Sequence, residues 1–145
     1  MSEFIKRPNF KEMAFDARDK ETEKHLFEDL SNKIIGAAIE VHKKSGPGFL
    51  ESIYENALAM EFKKRGISYK KQHEEIIEYD NYEAGRHRFD FLVENEIIVE
   101  LKTIKNLEDI HFAIVRSYLK SIKKKHGLLF NFSKMPLEIK RVIYE

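Results

Sequence analysis

The stretch Asp90-Phe91-Leu92-Val93-Glu94-Asn95-Glu96-Ile97-Ile98-Val99-Glu100-Leu101-Lys102 decides the fold of this chain. It contains two apolar runs separated by a polar turn, which is the pattern of two short strands joined as a hairpin. Asp90, Glu100 and Lys102 place charges where half-buried strands usually carry apolar side chains. Burying a charge costs several kcal/mol unless the charge is paired or holds a metal, so these residues indicate a functional site.

The predicted strand register brings two of these charges together. A three-residue loop at Glu94–Glu96 would set Asp90 opposite Glu100, with their Cβ atoms about 5 Å apart. Two carboxylates this close repel each other unless one is protonated or a cation lies between them, and hard divalent cations prefer such oxygens. The same register sets Arg88 opposite Lys102. A cross-strand charge network on a solvent face is therefore the alternative, and spacing leaves both interpretations open.

Composition restricts the class of protein. The chain has 145 residues, enough for one domain with a real core, and its formal net charge is +1. That net charge neither predicts nor excludes nucleic-acid binding through a local basic patch. Cysteine is absent. Thiol catalysis and zinc–thiolate sites are thereby excluded, and a cytoplasmic location is expected. No apolar run has the length of a membrane span and the N-terminus lacks a signal peptide's apolar core, so no membrane partner is expected.

Periodicity predicts the remaining elements. Residues 1–20 are interpreted as a loosely packed or partly disordered arm, followed by a single domain over 21–145. Apolar residues at three-four spacing predict a helix from about residue 20 to 44, which Ser45-Gly46-Pro47-Gly48 ends. A second helix is predicted from near Phe49, with a basic C-terminus at Lys63 and Lys64.

The second half of the chain alternates strands and one helix. Residues 67–79 are strand-like, 80–85 have turn composition, and 107–122 have the apolar stripe of a helix. The apolar run 127–132 predicts a strand buried on both faces, and 138–144 a final edge strand. The predicted order is α-α-β-β-β-α-β-β, an α/β fold with a mixed β-sheet flanked by helices.

The paired motif resembles a known signature. Asp90, with Glu100-Leu101-Lys102 on the next strand, is similar to the signature of the PD-(D/E)xK nuclease superfamily. Over residues 31–144 the chain resembles, more specifically, the small GxxExxR proteins of that superfamily. The matching segments are Ile34–His42, Gly46–Glu55, Arg88–Val93, Val99–Lys102, Ser117–Lys120 and Gly127–Phe132.

The resemblance implies a fold and a chemistry. The fold would be a restriction-endonuclease-like core, and the activity would be metal-dependent hydrolysis of phosphodiester bonds. Asp90, Glu100, the Leu101 carbonyl and Glu51 would hold Mg²⁺ or Mn²⁺, and Lys102 would orient the attacking water or stabilise developing charge. Lys102 is not expected to be the base, because adjacent carboxylates favour its charged form.

Several positions carry two interpretations or depart from the family pattern. Glu51 is either the third site carboxylate, as the resemblance implies, or a first-turn residue that interacts with the helix dipole. Tyr118 and Arg88 are expected at the rim. Tyr54 stands where the GxxExxR pattern has Arg, and Ile114 where related nucleases commonly have Gln.

Basic residues outside the motif are the candidates for binding phosphate. They are Lys63, Lys64, Lys70, Lys71, Lys120, Lys123, Lys124 and Lys125. Phosphate contacts carry no sequence information, and the expected partner is nucleic acid, DNA in preference to RNA. The alternatives are a catalytically degenerate fold that binds nucleic acid or protein, and a structural module. A homodimer stays open beside a monomer.

Overall fold

The computed structural model describes residues 20–145. The elements, in chain order, are α1 (Lys20–Ser45), α2 (Glu51–Lys64), β1 (Tyr69–Tyr79), β2 (Tyr82–Val93), β3 (Ile97–Lys102), α3 (Asp109–Ile122), β4 (His126–Asn131) and β5 (Glu138–Ile143). This confirms the predicted element order. The predicted arm, residues 1–20, lies outside the described residues except for Lys20, where α1 begins.

The five strands form one mixed sheet in the order β1-β2-β3-β4-β5. Neighbouring strands are antiparallel except β3 and β4, which are parallel. A parallel pair needs a crossover connection, and α3 provides it between these two strands. The predicted mixed sheet and the restriction-endonuclease-like fold are confirmed.

The loop between β2 and β3 forms as predicted. Val93 pairs with Ile97, Leu92 with Ile98 and Phe91 with Val99, which leaves three residues in the loop. Glu94 and Asn95 both have positive φ, at 51° and 58°. The register that places Asp90 across from Glu100 is therefore set by a short, local turn.

The predicted turn at residues 80–85 is too long. Only Asp80 and Asn81 form the turn, and Tyr79 pairs directly with Tyr82. Both turn residues have positive φ, at 50° and 69°, as a two-residue hairpin turn that follows the strand twist requires. Tyr82–Gly85 belong to β2, because the tight turn lets the strand start earlier than their turn-like composition suggested.

The sheet is covered on both faces. On the side of α3 the buried cluster consists of Phe89, Leu92, Ile98, Val115, Leu119, Leu129 and Val142. On the side of α2, the rings of Phe62 and Phe91 meet edge to face at 5.3 Å between centroids. The residues of β4 from Gly127 to Asn131 are all buried, which confirms the prediction of a strand buried on both faces.

Two compact units divide the chain, residues 1–33 and residues 34–145. In the first, the described part is the beginning of α1, where His25 lies 4.0 Å from Glu21 and 3.8 Å from Glu28. The second contains the whole sheet with α2 and α3. Because the boundary falls within α1, the single domain over 21–145 stays a prediction. Within residues 20–145, no helix has both the length and the apolar character to cross a membrane.

Gly127 permits close contact between α3 and β4. A Cβ atom at this position would lie 2.7 Å from Val115 Cγ1, whereas one at Gly85 would meet nothing within 4 Å. We expect Gly127→Ala to lower the free energy of unfolding by about 1–3 kcal/mol through overpacking, measured by urea denaturation. Gly85→Ala is the matched control, with an expected change below about 0.5 kcal/mol. Equal losses in both variants would refute the packing explanation.

Candidate active site

Side-chain hydrogen bonds replace the backbone ladder where β2 meets the end of β3. The regular β2–β3 pairing stops at Phe91 and Val99. Beyond it, the Asp90 N–H donates to Glu100 Oε1 at 2.7 Å, and the Leu101 N–H donates to Asp90 Oδ2 at 2.8 Å. Each carboxylate thus bonds to the backbone of the opposite strand, and the two carboxylates face each other across the strands.

The side chains of β2 switch from one face of the sheet to the other around Asp90. Phe89 packs against Tyr118 of α3 at 5.4 Å, whereas Phe91 packs against Phe62 of α2. Residues two apart in a regular strand share a face, so the backbone is irregular between these rings. Across from Asp90, Gln72 of β1 has a φ of 54° and is not part of the regular β1–β2 pairing. Both strands are therefore distorted at the same level of the sheet.

The first turns of α2 bring two more carboxylates, Glu51 and Glu55, close to the Asp90–Glu100 pair. Glu55 is 7% exposed and accepts a hydrogen bond from the Gln72 amide. Glu51 is half-buried; burial raises the pKa of its carboxyl, Lys102 lowers it, and Glu55 raises it. Sequence reasoning proposed Glu51 for the site and missed Glu55 and Gln72. The i,i+4 spacing of the two glutamates was a signal for Glu55, because it places them on one helix face.

Burial and mutual repulsion dominate the electrostatics. Burial raises the pKa of Asp90 to about 6, the Leu101 N–H opposes this, and the charges of Glu55 and Glu51 reinforce it. Burial also raises the pKa of Glu100 to about 8, with Asp90 as the next cause. Two carboxylates in this setting cannot both be ionised at neutral pH without a cation nearby.

Lys102 is a cation at the centre of this group. Its charge lowers the pKa values of Glu51, Asp90 and Glu100, so the ammonium interacts with all three. Its carbonyl accepts the Phe132 N–H at 2.8 Å, which fixes the end of β3. The structure thus brings Asp90, Glu100, Lys102 and Glu51 together, with Leu101 between two of them.

Tyr118 lies beside the carboxylates from the α3 side. Burial raises the pKa of its hydroxyl, and the charges of Glu100 and Asp90 raise it further. Its ring packs against His87 at 4.6 Å. Ile114, one helical turn earlier, is 37% exposed. Tyr118 is therefore half-buried next to the carboxylate pair, as expected for a rim residue.

Comparison with known proteins identifies the family. A profile of the PD-(D/E)XK nuclease superfamily matches residues 28–142. The chain belongs to this superfamily. Among solved structures, the crystal structure of SSO0001 is similar, with a TM-score of 0.52 and 17% sequence identity, over 64% of this chain and 49% of that chain. This chain spans about half the length of that structure, and the similarity supports the fold. No curated protein matched the chain.

Arg88 is not part of a charge network with Lys102. Its guanidinium donates to Glu74 Oε2 of β1 at 2.7 Å, and Arg86 lies 3.6 Å from the other oxygen of Glu74. Arg88 therefore pairs toward β1, and a charge network of Asp90, Glu100 and Lys102 alone remains the alternative to a metal site. Its side chain is 61% exposed.

The structure places the candidate phosphate-binding lysines in different surroundings. Lys63 and Lys64 end α2, about 20 Å along the helix from Glu51. Lys70 is exposed, and the Lys71 ammonium donates to Asn56 Oδ1.

The lysines that follow α3 lie at the other end of β3. His126 pairs with Ile97, which puts Lys123 and Lys125 nearest that end, about 16 Å from Lys102 along the strand, whereas Lys120 lies in the last turn of α3. Lys124 is largely buried, 3.5 Å from Glu96. None of these lysines is brought to the carboxylate pair.

The donor atoms at Asp90 and Glu100 fit a hard divalent cation. Within the described part of the chain, no three carboxylate or imidazole groups have the spacing of a metal site. The two buried carboxylates nevertheless offer hard oxygens, and their raised pKa values reflect a repulsion that a cation would relieve. The site thus fits a divalent cation by the type of its donor atoms, which are carboxylate oxygens.

Glu100 should make stability depend on pH in metal-free buffer. An unfolded Glu has a pKa near 4.5, whereas folding raises the pKa of Glu100 to about 8. Between these values the folded state binds more protons than the unfolded state, so stability falls as pH rises. We expect Glu100→Gln, which stays neutral, to gain stability relative to the parent protein from pH 5 to pH 8. Urea denaturation in a chelator measures this.

The control for this titration is Glu78→Gln, at an exposed position of β1. It removes the same charge without removing a buried carboxyl, so its stability should follow that of the parent protein across the pH range. A Glu100→Gln protein with the parent's pH slope would contradict the assignment of the pH dependence to Glu100.

Proposed function

We propose that this protein is a metal-dependent nuclease that hydrolyses phosphodiester bonds in nucleic acid. The observation that supports this most is the Asp90–Glu100 pair at the break between β2 and β3, with Glu100 buried, Asp90 half-buried and Lys102 beside them. Superfamily membership supports a nuclease-like role. We also propose membership of the GxxExxR group, on the match Gly48-x-x-Glu51.

Asp90, Glu100, the Leu101 carbonyl and Glu51 would hold Mg²⁺ or Mn²⁺. A bound cation would supply an activated water and positive charge beside the phosphate. Backbone hydrogen bonds already orient one oxygen of Asp90 and one of Glu100. That leaves the second oxygen of each carboxylate for a ligand and avoids reorganisation of the strands.

Lys102 is proposed to stabilise negative charge that develops on the phosphate. Three carboxylates interact with its ammonium, which holds a positive charge beside the Asp90–Glu100 pair. Its proposed role is therefore electrostatic, in a partly buried setting where such a charge acts more strongly than in water.

The proposed partner is cytoplasmic DNA, with RNA second, bound by phosphate contacts. The exposed lysines at positions 63, 64, 70, 120, 123 and 125 are available for such contacts, and Lys70, which pairs with Leu92, lies two residues along the sheet from the level of Asp90. Contacts of this kind are independent of sequence and weaken with salt. Lys71 and Lys124 would first have to leave Asn56 and Glu96. The oligomeric state stays open between monomer and homodimer.

A binding module without catalysis is the second candidate. Ile114 stands where related nucleases commonly carry Gln, and an exposed isoleucine offers no hydrogen bond to water or phosphate. Under this alternative the carboxylates would keep their place in the fold, and nucleic acid would bind without being cut.

Cleavage assays distinguish the two candidates. We expect the purified protein to cut single- or double-stranded DNA or RNA in Mg²⁺ or Mn²⁺, and a chelator to stop it. Asp90→Asn and Lys102→Met should each reduce the rate by about 10²-fold or more, because each removes charge at the reacting phosphate. Lys105→Met, at an exposed position after β3, is the matched control and should keep the parent rate. Intact substrates throughout would favour the binding module.

Metal binding has a readout that does not depend on turnover. A cation that binds only the folded protein stabilises it by RT ln(1 + [L]/Kd), so the melting temperature should rise with added Mn²⁺. We expect this rise at pH 8 in the parent protein and its loss in Asp90→Asn, measured by calorimetry. Asp109→Asn, which neutralises an exposed carboxylate in α3, should keep the rise. Equal rises in all three proteins would place the cation elsewhere.

A further inference from the structure

Tyr54 connects the loop before α2 to the helix itself. Its side chain is fully buried, its hydroxyl donates to the Gly46 carbonyl, and it accepts the Phe49 N–H at 3.2 Å. Tyr54 lies one helical turn after Glu51. The hydroxyl therefore fixes the approach of the chain to the turn that carries Glu51.

The Gly46 N–H also donates to the His42 carbonyl at 2.8 Å, which joins the start of this loop to the end of α1. Gly46 and Gly48 have positive φ values of 72° and 109°, which glycine adopts without strain. Leu50, at the N-cap position of α2, makes no side-chain capping hydrogen bond. The Tyr54 hydroxyl satisfies one donor and one acceptor of this loop, the Phe49 N–H and the Gly46 carbonyl.

The ring of Tyr54 reaches the other side of the site. It stacks on Phe132 with 4.5 Å between centroids and 20° between planes. The Phe132 N–H donates to the carbonyl of Lys102, the last residue of β3. Tyr54 thus connects the two segments that carry a pair of interacting charges, the start of α2 with Glu51 and the end of β3 with Lys102.

We propose that Tyr54 is a positioning residue, which sets Glu51 against Lys102 through its hydroxyl on one side and the Phe132 stack on the other. This rests on the proposed function only where it concerns metal binding and cleavage. The GxxExxR pattern has Arg at this position, and a guanidinium cannot replace the tyrosine here. It donates hydrogen bonds but accepts none, so it would leave the Phe49 N–H unpaired.

The test compares three variants. Tyr54→Phe removes the hydroxyl and keeps the stacked ring, whereas Phe132→Leu removes the stack and keeps an apolar side chain. Tyr69→Phe is the matched control, since Tyr69 packs its ring on Phe62 of α2 outside the site. Circular dichroism and thermal melting establish that each variant is folded.

Two readouts are independent of catalysis. In Tyr54→Phe, amide hydrogen exchange at Phe49 should become about 10-fold faster, because its N–H loses a partner. The NMR signals of the Glu51 and Lys102 amides should both shift in Tyr54→Phe and in Phe132→Leu, and neither should shift in Tyr69→Phe. Unchanged Lys102 signals in Tyr54→Phe and Phe132→Leu would overturn the proposal, whether or not the protein cleaves nucleic acid.

Two further readouts use the proposed chemistry. Mn²⁺ affinity in Tyr54→Phe should fall about 10–100-fold, as is usual when a group that orients a ligand is lost. The loss in cleavage should appear in kcat, with KM nearly unchanged, because Tyr54 touches no substrate. Parent-like Mn²⁺ affinity and kcat in Tyr54→Phe, when the parent protein binds and cleaves, would overturn the positioning role. If the parent protein neither binds Mn²⁺ nor cleaves, the proposed function fails, and the exchange and NMR results alone decide the role of Tyr54.

Discussion

The crossed hydrogen bonds between Asp90 and Glu100 and the opposite backbones are the constraint on which this structure depends. They occur where an antiparallel ladder would normally continue, and they let β2 and β3 separate without leaving the Asp90 or Leu101 N–H unpaired. Without them the strands would either close and exclude a ligand or leave buried donors unsatisfied. The site is therefore part of the sheet rather than an addition to its surface.

The same arrangement brings carboxylates together, partly out of water, where they repel one another. Helices α2 and α3 cover the two faces of the sheet and remove water from the carboxylates, which raises their pKa values. Lys102 offsets part of the repulsion, and Glu51 and Glu55 add to it. A site with more carboxylates than cations favours a positively charged ligand by elementary electrostatics, which supports the proposed cation site.

The local parts of the fold and site were predictable from sequence. The apolar runs around the Glu94–Glu96 loop determine the register, and ten residues separate Asp90 from Glu100, so pattern and turn length suffice. The contribution of Gln72 was not predictable, because it depends on a distortion at its own position and opposite Asp90 that no periodicity encodes. Likewise, the pairing of Lys124 with Glu96 joins distant segments, and a run of lysines carries no information about which one is buried.

Asp90 has a structural role, because it accepts the Leu101 N–H, besides its proposed role in binding a cation. Different substitutions affect these two roles separately. Asp90→Asn keeps an oxygen that can accept the Leu101 N–H, so the strand ends stay joined while the negative charge disappears. Asp90→Ala leaves that buried N–H without a partner, at a cost of about 1–3 kcal/mol. The single substitution of Asp90 by Asn would therefore remove the charge that the proposed catalysis needs and keep the fold. Evolution thus has a short route from an enzyme of this kind to a binding protein.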